Sequence, residues 1–307
     1  MELRHLRCFI TVAEELHFSR AAERLNIEQS PLSRTIKQLE NNLGVRLLER
    51  TPRGARLTWA GQVFLEDARR VLLAFDQAKA NAKSASNGYR GVLRIALSDG
   101  IAQSRLTTLL ALCREEEPDV EIRLFEIPFA QQLKGLRSNL YDAGFTLADE
   151  VENGFVTTHA WSDPVVVAIP TRHPLLSYKR VTLEQAVNYP LVLCHPEACE
   201  GCSRQVERLL RMVDKQPIVA ERVTTHELMM ALVAAGYGVG FSSAAHVASL
   251  HNMAVVARPL AESSVALDTY LLHNDGERSE QLDNFIGRIN RISQIGPFDG
   301  WAAGRRR

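Results

Sequence analysis

The dipeptide Ser30-Pro31 constrains this chain more than any other feature. Proline supplies no backbone N–H, so a helix accepts it without cost only in the first turn, where that donor lacks an intrahelical partner anyway. The pair therefore predicts a helix with Ser30 as N-cap and Pro31 as first helical residue. Leu32, Ile36, Leu39 and Leu43 follow at i, i+4, i+7 and i+11 and form one buried stripe. That stripe leaves Gln29, Ser30, Pro31, Ser33, Arg34 and Lys37 facing outward at and just after the helix N-terminus. Upstream, Leu6, Phe9, Ile10, Ala13 and Leu16 predict an amphipathic helix over 4–16. A second helix is expected from an N-cap at Ser19 to Leu25-Asn26, asparagine tolerating the left-handed conformation that ends many helices.

The second and third helices, joined by about four residues, fit a helix-turn-helix whose second member enters a DNA major groove. Ala21 and Ala22 are small enough to let the two helices cross closely. Arginine pairs bidentately with guanine and glutamine with adenine, each good pair worth about 1–3 kcal/mol of discrimination. The helix N-terminus, Ser33 and Lys37 suit phosphate oxygens. "GVRLLERTPRGARLT" at 44–58 reads as two strands around a Pro-Arg-Gly turn, with Arg53 at the tip to reach backbone or minor groove. Charge is distributed accordingly. Residues 1–91 hold 15 Lys and Arg against 10 Asp and Glu, and the remainder holds 21 against 26, although the whole chain is neutral. A polyanion partner suits the first part only.

From Trp59 to Lys83 the pattern is helical, with Phe64, Ala68, Val71, Phe75, Ala78 and Ala82 spaced as a heptad-like seam. A long helix between two domains with such a seam is expected to pair with a second copy, through Phe64, Ala68, Val71, Phe75 and Ala78; packing on its own domain is the alternative. "SASNGYRG" at 84–91 reads as a linker. Beyond it strands alternate with helices, which implies mostly parallel sheets covered on both faces. The polar stretch Ser162-Asp163-Pro164 divides this region into two sub-domains.

Other chemistries leave little trace. The N-terminus is no signal peptide, since Glu14 and Glu15 interrupt its apolar stretch, and no apolar run approaches the roughly 18 residues of a membrane helix. Five cysteines do not form a secreted disulfide framework, so a reducing cytoplasm is expected. "GYGVG" at 236–240 precedes a strand, whereas a dinucleotide loop must follow one. No catalytic residue and no cofactor are expected, and the chain is not read as an enzyme. "CHPEACEGC" places Cys194, His195, Cys199 and Cys202 close together, but this spacing matches no standard zinc set. A loop shaping a pocket, a thiol switch and a metal site remain as readings of it, with no metal the expectation.

Residues 1–61 closely resemble the N-terminal domain of LysR-type transcriptional regulators. The resemblance rests on Phe9 and Ala13, "FSRAAERL", "QSPLSRTIKQLE", "LG" at 43–44, Arg50 and "LTWAG" at 57–61, in ungapped spacing. "DAGF" at 142–145 and "AAGYGVGF" at 234–241 extend it along the chain. Pro31 replaces a frequent alanine where base edges are met.

The resemblance implies an α/β chain with an N-terminal winged helix-turn-helix over 1–58, mostly α. A linker and dimerisation helix would follow over 59–88, and a periplasmic-binding-protein-like effector domain over 89–300. That domain would comprise sub-domain I (91–162 and 266–300) and sub-domain II (163–265), with 301–307 a tail. It further implies a cytoplasmic homo-oligomer, a dimer of dimers, that binds double-stranded promoter DNA, contacts RNA polymerase and answers a small-molecule inducer. Carried over by position, the inducer pocket would use Ser98, Gly100, Pro128, Phe129, Thr146, His195, Thr225, His226 and Phe241. Ser98 and the amides of the following helix suit a carboxylate inducer. Two other readings stand beside this one. The first is a solute-binding or enzymatic α/β protein whose N-terminal helices only dimerise it. The second is a regulator that senses redox state or metal through the cysteine loop.

Overall fold

The structure, a computed structural model, describes residues 1–51, 54–101, 103–249, 254–262 and 265–293. It divides into two compact units, Met1–Ser86 and the chain from Asn87 onward.

The N-terminal unit runs α1 (Leu3–Glu15), α2 (Phe18–Arg24), α3 (Gln29–Leu43), β1 (Leu48–Thr51), β2 (Gly54–Leu57) and α4 (Trp59–Ser86). Phe9, Val12, Ala21, Leu32, Leu39 and Leu47 are fully buried at its centre. Asn26, at φ 52°, turns the chain out of α2. Two helix starts differ from expectation. His17, not Ser19, is the N-cap of α2, and Glu28, not Ser30, is that of α3. Pro31 is thus the third residue of α3. The fit is as good there, because the first four N–H groups of a helix all lack intrahelical acceptors.

The two strands pair antiparallel, with Leu48 opposite Leu57 and Thr51 opposite Gly54. The turn residues Pro52 and Arg53 lie outside the described residues. Glu40 of α3 accepts hydrogen bonds from the backbone N–H groups of Leu47 (2.8 Å) and Leu48 (3.1 Å), which fixes the hairpin to that helix. Thr58 Oγ1 accepts from Gly61 N at 2.9 Å and so caps the start of α4. A Cβ at Gly61 would stand 2.0 Å from the carbonyl oxygen of Leu47, so only glycine allows this approach of helix to strand.

The proposed pairing seam of α4 needs correction. Phe64 packs on Phe9 with ring centroids 5.3 Å apart, and Ala68 is only 1% exposed, because α1 covers the first half of α4. These two residues belong to the unit's own core. Val71 (48% exposed), Phe75 (39%) and Ala78 remain on the surface. The helix also continues to Ser86, so part of the expected linker is helical.

The C-terminal unit begins β3 (Gly91–Leu97), α5 (Gln103–Glu116), β4 (Val120–Glu126), α6 (Phe129–Arg137), β5 (Ala143–Thr146) and β6 (Phe155–Pro170). After a short 3-10 turn come α7 (Leu183–Ala186), β7 (Leu191–Cys194), α8 (Glu200–Leu210), β8 (Val219–Val223), α9 (His226–Ala234) and β9 (Gly240–Ser243). It ends with α10 (Ala244–Ser249), β10 (Val255–Pro259), β11 (Ala266–Asn274) and α11 (Glu280–Ser293). The main sheet has seven strands in the order β10-β6-β11-β5-β3-β4, with β9 also on β6.

The sheet is mixed rather than mostly parallel. Strand β3 runs parallel to β4 and β5, but β11 is antiparallel to β5 and β6, and β6 is antiparallel to β9 and β10. The parallel pair β7-β8 stands apart. The difference comes from β6, a strand of sixteen residues. Its first half pairs with β11 and its second half with β10 and β9. Ser162-Asp163-Pro164 therefore lies within one continuous strand, where its pairing changes from β11 to β9 and β10. Phe145, Trp161 and Phe285 stack at its core, with centroids 5.1 and 6.1 Å apart. Among the described residues no helix is long and apolar enough to cross a membrane.

The Gly61 contact yields a test. Alanine is normally the better helix residue by about 1 kcal/mol. Here Gly61→Ala is expected to destabilise the N-terminal unit by about 1–3 kcal/mol, as overpacking does, measured by urea unfolding; a stabilised variant would contradict the packing.

Candidate DNA interface and effector cleft

Helix α3 is held down by Leu32, Ile36 and Leu39, all buried, and α2 crosses it over the buried Ala21 and Ala22. Gln29, Ser30, Pro31, Arg34 and Lys37 are exposed on the other side, and Ser33 is half-buried. Ser19 donates to Gln29 Oε1 at 3.1 Å, tying the side chain at the helix start to α2. Arg34 reaches only Ser30 Oγ, at 3.4 Å. Several arginines elsewhere in the unit are engaged by carboxylates. Arg24 pairs with Glu14 and Glu15, Arg69 with Glu14 and Glu66, and Arg56 with Glu49. Among the described residues no carboxylate pairs with Arg34 or Lys37. Their donors are left to an outside acceptor, and groove-facing side chains need such donors to meet base edges and phosphates. Arg53, assigned to the wing tip, lies outside the described residues.

In the C-terminal unit the cleft centres on a residue that the sequence did not single out, Asp99. It follows β3 with φ 63° and is only 6% exposed. Its Oδ2 accepts from Thr146 Oγ1 (2.7 Å) and Leu147 N (3.2 Å), and lies 3.0 Å from the Ser98 hydroxyl. Its Oδ1 accepts from Gly201 N (2.9 Å) and Cys202 N (3.4 Å) in the first turn of α8. Glycine is required at 201. A Cβ there would come within 2.3 Å of Ala148 N and 2.8 Å of Asp99 Oδ2. The "CEGC" segment thus starts α8 at Glu200 and brings bare backbone amides onto the carboxylate.

Beside Asp99 lies a small cavity of about 20 Å³, room for one water, lined by Gly100, Asp163, Cys202, His226, Ser242 and His246 among others. A second, larger one of about 260 Å³ is bounded by Leu97, Ser98, Gly100, Ile101, Leu106, Leu110, Glu126, Glu227 and His246. His226 and His246 stack with centroids 3.8 Å apart, and His226 Nε2 lies 2.9 Å from Ser242 Oγ. Asp163 pairs with Arg105 at 3.6 Å, both nearly buried. Burial raises the Asp163 carboxyl above the usual range, while Arg105 works against that.

Of the nine residues assigned to the pocket, Ser98, Gly100, Thr146 and His226 gather around Asp99. The other five do not line the two cavities. Phe129 is buried in a separate cluster with Ala96, Leu136, Tyr141 and Leu272, and Pro128 caps its helix from outside. Thr225 serves as N-cap of α9, where its hydroxyl accepts from Leu228 N. His195 accepts from Glu197 N in its own loop, and Phe241 is fully buried in the core. Position along the chain does not separate the two groups, because neighbouring residues at a strand end or helix start point in different directions. The overlooked members Asp99, Asp163, Gly201, Ser242 and His246 left one trace: "SDG" at 98–100, a turn signal directly after a strand.

The cysteine loop is core. Cys194, Cys199 and Cys202 are all buried, and Cys199 Sγ donates to Thr224 O at 3.5 Å. A hydrogen bond with Cys194, together with burial, pushes the Cys199 thiol up. Cys194 is raised too: its bond with Cys199 lowers it, but contact with Cys202 and burial outweigh that. Thiols held protonated are poor nucleophiles. Among the described residues no group of three or more His, Cys, Asp or Glu is placed to hold a metal ion.

Comparison with known proteins finds a family match for each part of the chain. Residues 3–62 match the family described as "Bacterial regulatory helix-turn-helix protein, lysR family", and residues 86–292 match the "LysR substrate binding domain". The chain is 35% identical over 302 residues to the uncharacterized HTH-type transcriptional regulator YnfL of Escherichia coli K12, covering 96% of this chain and 99% of that one. It is 32% identical to the HTH-type transcriptional regulator AlsR of Bacillus subtilis 168, covering 93% and 94%. Among solved structures it resembles full-length CbnR, a LysR family regulator, in complex with its target DNA. There the TM-score is 0.76 at 26% identity, over 95% of this chain and 100% of that one.

The histidine pair makes stability depend on pH. Burial lowers both imidazoles, His226 well below its usual range, and His246 adds to the effect on His226. The unfolded chain then binds more protons than the folded one below about pH 6.5, so stability falls as pH falls through that value. Asp163, shifted upward, opposes this at more acidic pH. One such histidine contributes a slope of up to about 1.4 kcal/mol per pH unit. Denaturant titrations between about pH 7 and 5 should show it, with a shallower slope in His226→Gln; equal slopes in both proteins would contradict the assignment.

Proposed function

The chain belongs to the LysR family of bacterial transcription regulators, DNA-binding proteins with an effector-binding domain, and on that premise we propose how its residues divide the work. Helix α3 enters the major groove of promoter DNA. Arg34 and Gln29 read base edges there, while Ser30, Ser33, Lys37 and the helix N-terminus hold phosphates and Pro31 shapes the contact. Arg53 reaches the backbone or minor groove as a wing. The observation that carries this reading is the face of α3, whose cations have no carboxylate partner while its apolar stripe fixes the helix in place.

Two copies join through α4, where Val71, Phe75 and Ala78 stand exposed along one helix with Trp59 and Val63. Two such dimers form a tetramer, and two half-sites raise affinity without new contacts per subunit. The DNA-binding domain comprises 1–58, the linker helix 59–88 and the effector domain 89–300, the last divided where β6 passes from 162 to 163 and again at 265–266. A small molecule enters the cleft at Ser98, Gly100, Thr146 and His226, changes DNA binding and so alters contact with RNA polymerase. The protein performs no catalysis and works in the cytoplasm, where its DNA and a reducing environment for five free cysteines are found.

Binding to the DNA upstream of its own gene, against scrambled DNA, tests this. Arg34→Ala is expected to lose about 1–3 kcal/mol on the cognate site and little on random DNA. Lys37→Ala should weaken both and flatten the salt dependence by about one unit. Equal losses on the two DNAs from both variants would contradict the division of roles.

A further inference from the structure

We infer that Asp99 sets the charge class of the effector: its own carboxylate fills the anion-receiving end of the cleft, so the ligand is an uncharged or amine-bearing small molecule and not a carboxylate. The inference deepens the reading of the cleft as effector site and rests on it.

At the α8 end of the cleft the geometry leaves an incoming anion no free donor. The groups suited to receive one are the backbone amides in the first turn of α8 and the hydroxyls at the ends of β3 and β5. The amides of Gly201 and Cys202 already donate to Asp99 Oδ1, and Thr146 and the Leu147 amide to Oδ2. The Ser98 hydroxyl lies among Asp99 Oδ2, Gln132 Oε1 and Phe145 O, acceptors only. What remains open is acidic. The two cavities are lined by Asp99, Asp163, Glu126 and Glu227, and by no lysine or arginine. The nearest cation, Arg105, faces Asp163. A carboxylate ligand would enter against like charge, whereas an amine or a neutral donor would meet acceptors. The apolar wall of Leu97, Ile101, Leu106 and Leu110 takes the rest of a small molecule.

Asp99 also offers a clean substitution. Its φ of 63° is one that glycine adopts without strain, so Asp99→Gly removes the carboxylate and relaxes the backbone at once. The vacated space has the shape of an acetate ion, since the aspartate side chain is a methylene carboxylate.

Thermal unfolding of the full-length protein in sodium acetate and in sodium chloride of equal concentration reads the inference. Acetate should raise the Tm of Asp99→Gly by about 2–4 °C beyond chloride, saturably, and should leave the wild type and Asp99→Asn at their chloride values. No acetate-specific gain in Asp99→Gly, whether or not that variant folds in chloride, overturns the inference. So does an equal gain in the wild type. Benzoate on the wild type gives an independent reading that needs no variant: no saturable stabilisation is expected, and its occurrence overturns the inference. DNA binding followed in parallel separates the two claims. Acetate rescue of Asp99→Gly in a protein whose DNA binding never responds to the state of the cleft would keep the charge assignment and count against the effector reading. A carboxylate that changes wild-type DNA binding through the cleft would do the reverse.

Discussion

The C-terminal unit depends on one carboxylate meeting one helix end. Asp99 follows the first strand of the sheet and Gly201 opens a helix about a hundred residues later, yet their contact decides what surrounds the cleft. A buried carboxylate is stable only when its oxygens are hydrogen-bonded, and a buried helix start only when its first amides find acceptors. Each requirement is met by the other. Charge-assisted bonds of this kind are stronger than neutral ones, and losing one side strands the other in low dielectric. The absence of a side chain at Gly201, the left-handed backbone at Asp99 and the hydroxyl of Thr146 are all consequences of that meeting.

A comparable economy governs the N-terminal unit, with apolar burial in place of charge. Leu32, Ile36 and Leu39 consume one side of α3, and whatever remains must face water or a partner. Glu14, Glu15, Glu49 and Glu66 engage the arginines of α2, β2 and α4, while none engages Arg34 or Lys37. Several arginines of the unit are thus paired with carboxylates, while Arg34 and Lys37, on the face that a polyanion would meet, are not among them. Glu40 ties the end of α3 to the chain entering the hairpin and Thr58 caps α4 after it, so the exposed face rests on a braced support.

The sequence was informative where a signal is local. The stripe of α3, the small residues of α2 and the left-handed Asn26 all act within a few positions, and the structure places them accordingly. Phe64 and Ala68 were misread because a heptad spacing cannot say which neighbour covers the helix, and α1 does. Ser162-Asp163-Pro164 is polar although it lies within a strand, because Asp163 is turned into the cleft and paired there with Arg105. Phe129 was placed in the pocket by its position after β4, although it packs with Leu136 and Leu272 in a different cluster. Asp99 was missed for the opposite reason: apart from Ser98, its partners are remote in the chain, and those of Oδ1 arrive with α8. Short-range pattern locates elements; it does not locate contacts between elements far apart in the chain.

The central claim is that a cleft without DNA contact governs a helix that has it. The most direct measurement compares wild type and Asp99→Asn for affinity to the DNA upstream of the gene and to scrambled DNA, by fluorescence anisotropy at one salt concentration. The account predicts that Asp99→Asn, which weakens the hold on the α8 amides while leaving α3 untouched, changes the ratio of the two affinities. An unchanged ratio in a folded, oligomeric variant would contradict it.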